Sequence, residues 1–181
     1  MSRYAAFLRG VNLGPNRRVT SSGLRSLFEE MGFSDVDTFR TSGNVVFSAG
    51  SEPRAKMATR IEHGLDESLG YEVSIFLRNA NEVRALAAHQ PFARKLVEAS
   101  YGKLQVSMLN WRPTAQARRD VLALAEDDDR LAFGARELYW LPSGGTRDSP
   151  LDLKAIDKLL GPTTMRTKGT IDQLAAKFFA D

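Results

Sequence analysis

Two short polar segments, each next to a predicted strand, carry the residues of this 181-residue chain that are best suited to bind a small ligand. The first segment, Arg9–Gly14, follows the apolar run 4–8, and the second, Thr41–Asn44, precedes the apolar run 45–47. Arginine offers paired hydrogen bonds to phosphate or carboxylate groups, and glycine lets the backbone approach a ligand closely. The two segments therefore predict a pocket for a small anionic ligand.

The elements that must bring these segments together follow from the apolar spacing of the first half of the chain. The spacing predicts strands at 3–11, 36–40, 44–48 and 71–78, with helices at 20–32 and from 53 to 70. This β-α-β-β-α-β order is typical of a ferredoxin-like plait. In that plait the first two strands run in the same direction, so the end of strand 1 and the hairpin between strands 2 and 3 lie at one edge.

The same edge receives the N-terminus of the first helix, whose N–H groups and partial positive charge favour anions. The residues predicted to bind the ligand there are Arg9, Gly10, Asn12, Gly14, Arg17, Ser42, Gly43 and Asn44. An alternative remains open, in which the asparagines bond only to loop backbone and Gly43 only serves a turn. The glycine spacing matches neither a phosphate loop nor a dinucleotide-binding fingerprint.

The second half of the chain shows a similar order of elements without a clear sequence repeat. Residues 79–101 predict a helical connector of two short helices, interrupted at Pro91. Residues 102–181 predict a second plait-like subdomain with a terminal helix, and residues 1–78 form the first. The fold class expected is therefore α+β, with two ferredoxin-like subdomains in tandem.

Composition narrows the chemistry further. The chain has no cysteine, which excludes disulfides, thiolate metal sites and a cysteine nucleophile. Its two histidines, His63 and His89, lack metal-ligand spacing to a carboxylate, so neither a metal nor a cofactor is expected. No run approaches the roughly 18 apolar residues of a membrane span, and no signal peptide is visible. We expect a cytoplasmic protein that does not contact a membrane.

The sequences of the two polar segments also resemble patterns of a known family. The chain is similar to the bacterial family called domain of unknown function 1697, in which a strand reads Tyr-x-Ala-Phe-Leu-Arg-Gly-Ile-Asn-Val-Gly, here Tyr4 to Gly14. The family continues with Thr-x-x-x-Ser-Gly-Asn-Val-Val-Phe, here Thr38 to Phe47. The resemblance implies two intertwined plait-like subdomains and implies no activity.

The C-terminal part of the resemblance is weaker. The family pattern Thr-x-Arg-Asn-Trp-x-Thr is met here by Thr164 to Thr170, in which Arg166 and Thr170 are kept. The Asn-Trp pair is replaced by Thr167 and Lys168. The resemblance thus adds Arg166 to the expected ligand-binding residues. If the Asn-Trp pair binds a ligand in the relatives, the replacement implies that this protein binds it differently or not at all.

Two other functions compete with anion binding. Residues 1–60 carry nine basic and five acidic side chains, and Phe7 and Phe47 are aromatic residues on predicted strands. If both rings lay on one sheet face, the protein would bind single-stranded nucleic acid by stacking; the alternative is that both rings are core. The third hypothesis is an enzyme of unknown reaction, since a phosphate site can act by positioning alone. No catalytic residue is assigned.

Overall fold

A computed structural model describes residues 1–12, 14–40, 43–101, 103–126 and 129–180. Across these residues the protein is α+β, with two four-stranded antiparallel sheets and seven helices. Strands and helices occur where the apolar spacing predicts them, and their boundaries differ from the predicted ones by only a few residues.

The first half of the chain forms one sheet with two helices packed on it, and a third helix follows the last strand. Its elements are β1 (Ser2–Arg9), α1 (Ser21–Glu30), β2 (Ser34–Thr38), β3 (Asn44–Ala49), α2 (Arg54–Leu69), β4 (Ser74–Asn79) and α3 (Ala80–Ala88). The strand order is β2-β3-β1-β4, so β1 is an inner strand that pairs on both sides. Thr20 caps α1, because its side-chain oxygen accepts a hydrogen bond from the Gly23 N–H at 3.0 Å.

The core of this first sheet lies between one sheet face and the two helices α1 and α2. Phe47 occupies its centre, with ring centroids 5.3 Å from Phe28, 4.5 Å from Phe33 and 5.8 Å from Tyr4. Leu65 and its helical neighbours on α2 complete the cluster from the other side. Aromatic packing of this kind buries much apolar area and holds the helices in register with the strands.

The second half of the chain forms the other sheet. Its elements are α4 (Arg94–Ala99), β5 (Gln105–Met108), α5 (Ala115–Leu122), β6 (Arg130–Phe133), β7 (Glu137–Leu141), α6 (Leu153–Leu160), β8 (Thr164–Thr167) and α7 (Lys168–Phe178). The strand order, β6-β7-β5-β8, has the same pattern as the first sheet. Its core contains Val121 of α5, Ile156 and Leu160 of α6, and Leu138 and Trp140 of β7.

The chain divides into two compact units. The first unit comprises Met1–Ala85 together with Lys177–Asp181, and the second comprises Leu86–Ala176. The division therefore assigns α4, and the residues from 86 that lead to it, to the second unit. The predicted boundaries at 78 and 102, with a separate connector between them, stay a prediction.

A buried carboxylate fixes the loop that follows β7 in the second unit. Asp129 is 6% exposed and accepts hydrogen bonds from the Trp140 indole at 2.9 Å, the Ser143 N–H at 2.8 Å and the Ser149 hydroxyl at 2.6 Å. Burial alone would raise the pKa of Asp129, but these hydrogen bonds outweigh burial and hold the pKa below its usual value. The loop at 142–150 is thus tied to the sheet by a charged acceptor.

We predict that Phe47→Ala lowers the free energy of unfolding of the protein by about 3–5 kcal/mol, because it empties the centre of the aromatic core. Urea denaturation followed by circular dichroism measures this loss. Leu96→Ala is the control, since that leucine is 40% exposed, and its effect should stay within about 0.5 kcal/mol. Equal effects of the two substitutions would contradict the core described above.

We predict a pH-dependent effect of Asp129→Asn. Because the folded pKa lies below the unfolded value, the ionised carboxylate stabilises the fold above the unfolded pKa, and this stability is lost as pH falls through the folded pKa. The variant should therefore be destabilised by about 1.5–3 kcal/mol at neutral pH, the worth of hydrogen bonds to a charged group. Urea midpoints compared at neutral pH and near pH 3 should show the difference shrinking in acid; a difference independent of pH would refute the role of the charge.

Candidate functional site

The structure brings the two polar segments to one edge of the first sheet, as the predicted order of strands requires. The Leu8 N–H donates a hydrogen bond to the Gly43 carbonyl at 2.8 Å, and Phe7 lies opposite Asn44 in the pairing of β1 with β3. The backbone after β1 and the hairpin before β3 are therefore in direct contact beside the N-terminus of α1.

The absence of a side chain at Gly43 allows the two segments to approach each other closely. Its φ is +76°, and a Cβ atom at this position would lie 2.6 Å from Val11 Cγ2 and 3.1 Å from Leu8 Cβ. An L-residue would be strained in the left-handed region, would collide with Val11 and would contact Leu8 tightly. Glycine is thus required here by the close approach of the segments, whatever binds nearby.

A cleft of about 410 Å³ opens at this edge, and we call it the N-terminal cleft. Three of the predicted ligand-binding residues line it, namely Asn12, Gly14 and Gly43. The rest of its described lining is Arg18, residues 19–21, Leu24, Thr38 and Arg40. The cleft therefore joins the loop before α1, the first turn of that helix and the end of β2.

The electrostatic character of the N-terminal cleft is positive. Arg18 and Arg40 are both exposed, and no aspartate or glutamate is among the described residues of the lining. The first turn of α1 carries no acidic side chain either, so nothing on the helix itself offsets the partial positive charge of its N-terminus. Hydroxyl groups of Thr20, Ser21 and Thr38 add hydrogen-bonding capacity.

Asn12 serves the backbone as well as the cleft. Its side-chain oxygen accepts a hydrogen bond from the Val19 N–H at 3.0 Å, and its own N–H donates to the Arg17 carbonyl at 2.6 Å. These bonds close the loop before α1 and set the direction in which the chain enters the helix. The alternative raised for the asparagines, that they bond to loop backbone, therefore holds for the side-chain oxygen of Asn12.

Four other residues predicted at this edge are not among the described residues that line the cleft. Asn44 is 1% exposed and donates a side-chain hydrogen bond to the Phe39 carbonyl at 2.8 Å, so it braces the hairpin. The Arg17 guanidinium lies 5.1 Å from the centroid of the Tyr71 ring. Arg9 is an exposed residue opposite Ser74 at the end of β1, and Gly10 follows it. Ser42 lies outside the described residues.

Arg166 lies in the second unit, on β8. It is 8% exposed, and its guanidinium donates to the Thr164 hydroxyl at 2.9 Å and to the Met165 carbonyl at 2.8 Å. Burial lowers the pKa of Arg166 to about 10, which leaves the side chain charged at neutral pH. Its hydrogen bonds tie it to its own strand, and its expected role in ligand binding stays a prediction.

The ligand-binding residues predicted from the sequence include neither arginine that lines the cleft and none of the hydroxyl residues of its wall. Arg40 carries a φ of +60°, a conformation that the apolar pattern does not reveal. Thr38 lies in the middle of the predicted strand 36–40, whereas the observed β2 ends at Thr38, and this earlier end places it at the cleft. Arg18 is the neighbour of the predicted Arg17, and which of the two lines the cleft depends on how the loop turns before α1.

Phe7 and Phe47 are core residues, the alternative named for them above, and nucleic-acid binding itself stays a hypothesis. In the pairing of β1 with β3, Tyr4 lies opposite Phe47 and Phe7 lies opposite Asn44. Phe7 and Tyr4 are three residues apart on one strand, so Phe7 and Phe47 project to opposite faces of the sheet. Both phenylalanines are 0% exposed. Neither ring is therefore available to stack on a base.

Within the described ranges, no group of three or more His, Asp or Glu side chains is arranged to hold a metal ion. His63 is exposed and pairs with Glu67 at 3.3 Å, as expected for a surface position. No helix in the described part of the chain has the length and apolar character that a membrane crossing requires.

The fold and cleft define an α+β protein with two similar four-stranded sheets and a cationic cleft beside its first helix. A family model described as "Protein of unknown function (DUF1697)" matches residues 1–139, and the chain belongs to this family. The resemblance seen in the sequence is thereby confirmed. Arg166 lies beyond the matched residues.

Comparison with solved structures shows the same fold elsewhere. A conserved bacterial protein from Streptococcus pneumoniae aligns with a TM-score of 0.73 and 21% sequence identity, covering 99% of each chain. At this identity the likeness concerns the fold alone. No curated protein matches the chain.

We predict that Gly43→Ala destabilises the protein more than Gly14→Ala. Both glycines have positive φ, but a Cβ atom at Gly14 would meet nothing within 4 Å. The left-handed conformation costs about 1–2 kcal/mol in each variant, and the collision at Gly43 adds about 1–3 kcal/mol. Thermal and urea unfolding measure the difference; equal losses would show that the contact with Val11 relaxes freely.

Proposed function

We propose that this protein binds a small anionic ligand, a nucleotide or another phosphate compound, in the N-terminal cleft. The observation that carries the proposal is that Arg18 and Arg40 both line one cleft, and that the described lining of this cleft contains no carboxylate. Charge-assisted hydrogen bonds from arginine to phosphate are among the stronger polar contacts in proteins.

The helix N-terminus supports the same ligand class. The first N–H groups of any helix lack partners within the helix. In α1 the Gly23 N–H donates to the Thr20 hydroxyl oxygen. A phosphate group placed between the first turn and the two guanidinium groups would meet donors from both sides. The described lining contains no histidine or carboxylate, so it offers groups that bind an anion and not an acid–base pair.

The size and walls of the cleft favour a ligand larger than inorganic phosphate. A volume of about 410 Å³ lies within the range of small-molecule sites, roughly 300–1,000 Å³. Val19 and Leu24 give the cleft an apolar side. A phosphate ester with an organic group, such as a nucleotide, would use both the cationic groups and this apolar side.

The finer description of the fold belongs to the same proposal. We infer that each sheet with its helices is a ferredoxin-like plait, because both sheets share one strand order and each follows a β-α-β-β-α-β sequence of elements. The cleft would then be a feature of the first plait. The expected cytoplasmic location and the expected roles of Arg9, Arg17, Ser42 and Arg166 stay predictions.

Calorimetric titration with nucleoside monophosphates, the matching nucleosides and inorganic phosphate tests the proposal. We expect the phosphorylated compounds to bind and the nucleosides to bind much more weakly. Arg18→Met and Arg40→Met should each weaken binding about tenfold or more, which corresponds to the loss of one charge-assisted hydrogen bond.

The control is Arg25→Met. Arg25 lies on α1, the helix that borders the cleft, but it pairs with Asp37 at 2.9 Å and does not line the cleft, so its loss should leave affinity unchanged. Melting temperatures of all three variants show whether each is folded. Two results would refute the proposal: no binding of any phosphorylated compound by the folded protein, or equal effects of the Arg18 and Arg25 substitutions.

A further inference from the structure

A second cleft, of about 210 Å³, lies within the second unit, and we call it the connector cleft. It is independent of the N-terminal cleft and of the anion proposal. One side is apolar, with Phe92, Val97 and Leu104. The other side carries Lys168 and Asp172, one turn apart on α7. Its volume is smaller than that of a typical site for a drug-sized ligand, so it suits a molecule of amino-acid size.

Lys168 is held firmly within this cleft. Its side chain is 12% exposed, and its ammonium group donates to the Ala87 carbonyl at 2.7 Å and to Asp172 Oδ1 at 2.5 Å. An ammonium group has three N–H donors, and these two bonds use two of them. The group therefore keeps one donor for a ligand and is positioned by the backbone that it already contacts.

Asp172 supplies the complementary acceptor. Its side chain is 47% exposed, and its Oδ1 receives the Lys168 bond. Among the described residues no donor contacts its Oδ2, and a carboxylate has about four acceptor positions. A donor and an acceptor of opposite charge thus stand side by side at the apolar wall.

The overall charge of the cleft limits which ligand fits. Besides the Lys168–Asp172 pair, Arg94 and Glu98 line the cleft and pair with each other at 2.6 Å. Each cation has an anion beside it, so a ligand with a single charge would add a net charge to a cleft whose own charges balance. A ligand with both an ammonium and a carboxylate group keeps the balance, and an apolar group on it would contact Phe92 and Leu104.

We propose that the connector cleft binds a free α-amino acid with an apolar side chain. Its carboxylate accepts the remaining N–H of Lys168, its ammonium group donates to Asp172 Oδ2, and its side chain packs against the apolar wall.

Titration of the ¹⁵N-labelled full chain with L-phenylalanine, followed by amide chemical shifts, tests this inference. We expect saturable shifts at Leu104 and Lys168. The single-charge analogues 3-phenylpropionate and 2-phenylethylamine, which keep the ring but lack one charged group, should bind at least about tenfold more weakly.

Two variants assign the binding to the named pair. Lys168→Met should abolish the shifts, and Asp172→Asn should weaken binding about tenfold. Asp172→Asn is the decisive variant, because its half-exposed position allows the change without disturbing the backbone contact of Lys168. Lys177→Met is the matched control on the same helix, since Lys177 lies over the Phe178 ring and outside the cleft.

Three results would each overturn the inference: no shift at Leu104 and Lys168 at millimolar phenylalanine, equal affinity for phenylalanine and either analogue, or wild-type affinity in Asp172→Asn. Arg18→Met should leave phenylalanine binding unchanged, so a failure here is distinguishable from a failure of the anion proposal.

Discussion

The hydrogen bond from the Leu8 N–H to the Gly43 carbonyl is the contact on which the geometry of the first unit depends. It joins the end of β1 to the hairpin before β3, and β1 is the strand that pairs on both sides. Once this edge is fixed, the loop from Asn12 to Val19 has one direction in which to enter α1. The N-terminal cleft is the space that remains between that loop, the helix and the hairpin.

This dependence explains which parts of the site the sequence could predict. The apolar spacing of α1 and the Thr20 cap are local properties, so they are visible in the chain itself. The meeting of the two polar segments follows from the order of the strands. The register of β1 against β3 is not local, because it depends on packing around Phe47, and a shift of one residue reverses every side chain. This register, which the apolar pattern does not reveal, places Phe7 and Phe47 on opposite faces of the sheet.

The choice among neighbouring arginines shows the same limit. Arg17 and Arg18 are neighbours of the same residue type, yet the guanidinium of Arg17 lies over the Tyr71 ring and Arg18 lines the cleft. The turn of the loop decides between them, and the bonds of Asn12 set that turn. Side chains of both clefts also hold the backbone in place: the oxygen of Asn12 in the first unit, and the ammonium group of Lys168 in the second. Because one side chain both lines the cleft and bonds to the backbone, the shape of each cleft depends on how the surrounding chain folds.

The Asp129 network gives the second unit an optical reporter. The chain has two tryptophans, of which Trp111 is 50% exposed, whereas Trp140 is 2% exposed and donates its indole N–H to Asp129. The emission of a buried indole responds to the charge beside it, and the same carboxylate holds the loop through Ser143 and Ser149. The fluorescence of Trp140 therefore records, without any label, whether that loop is attached to its sheet.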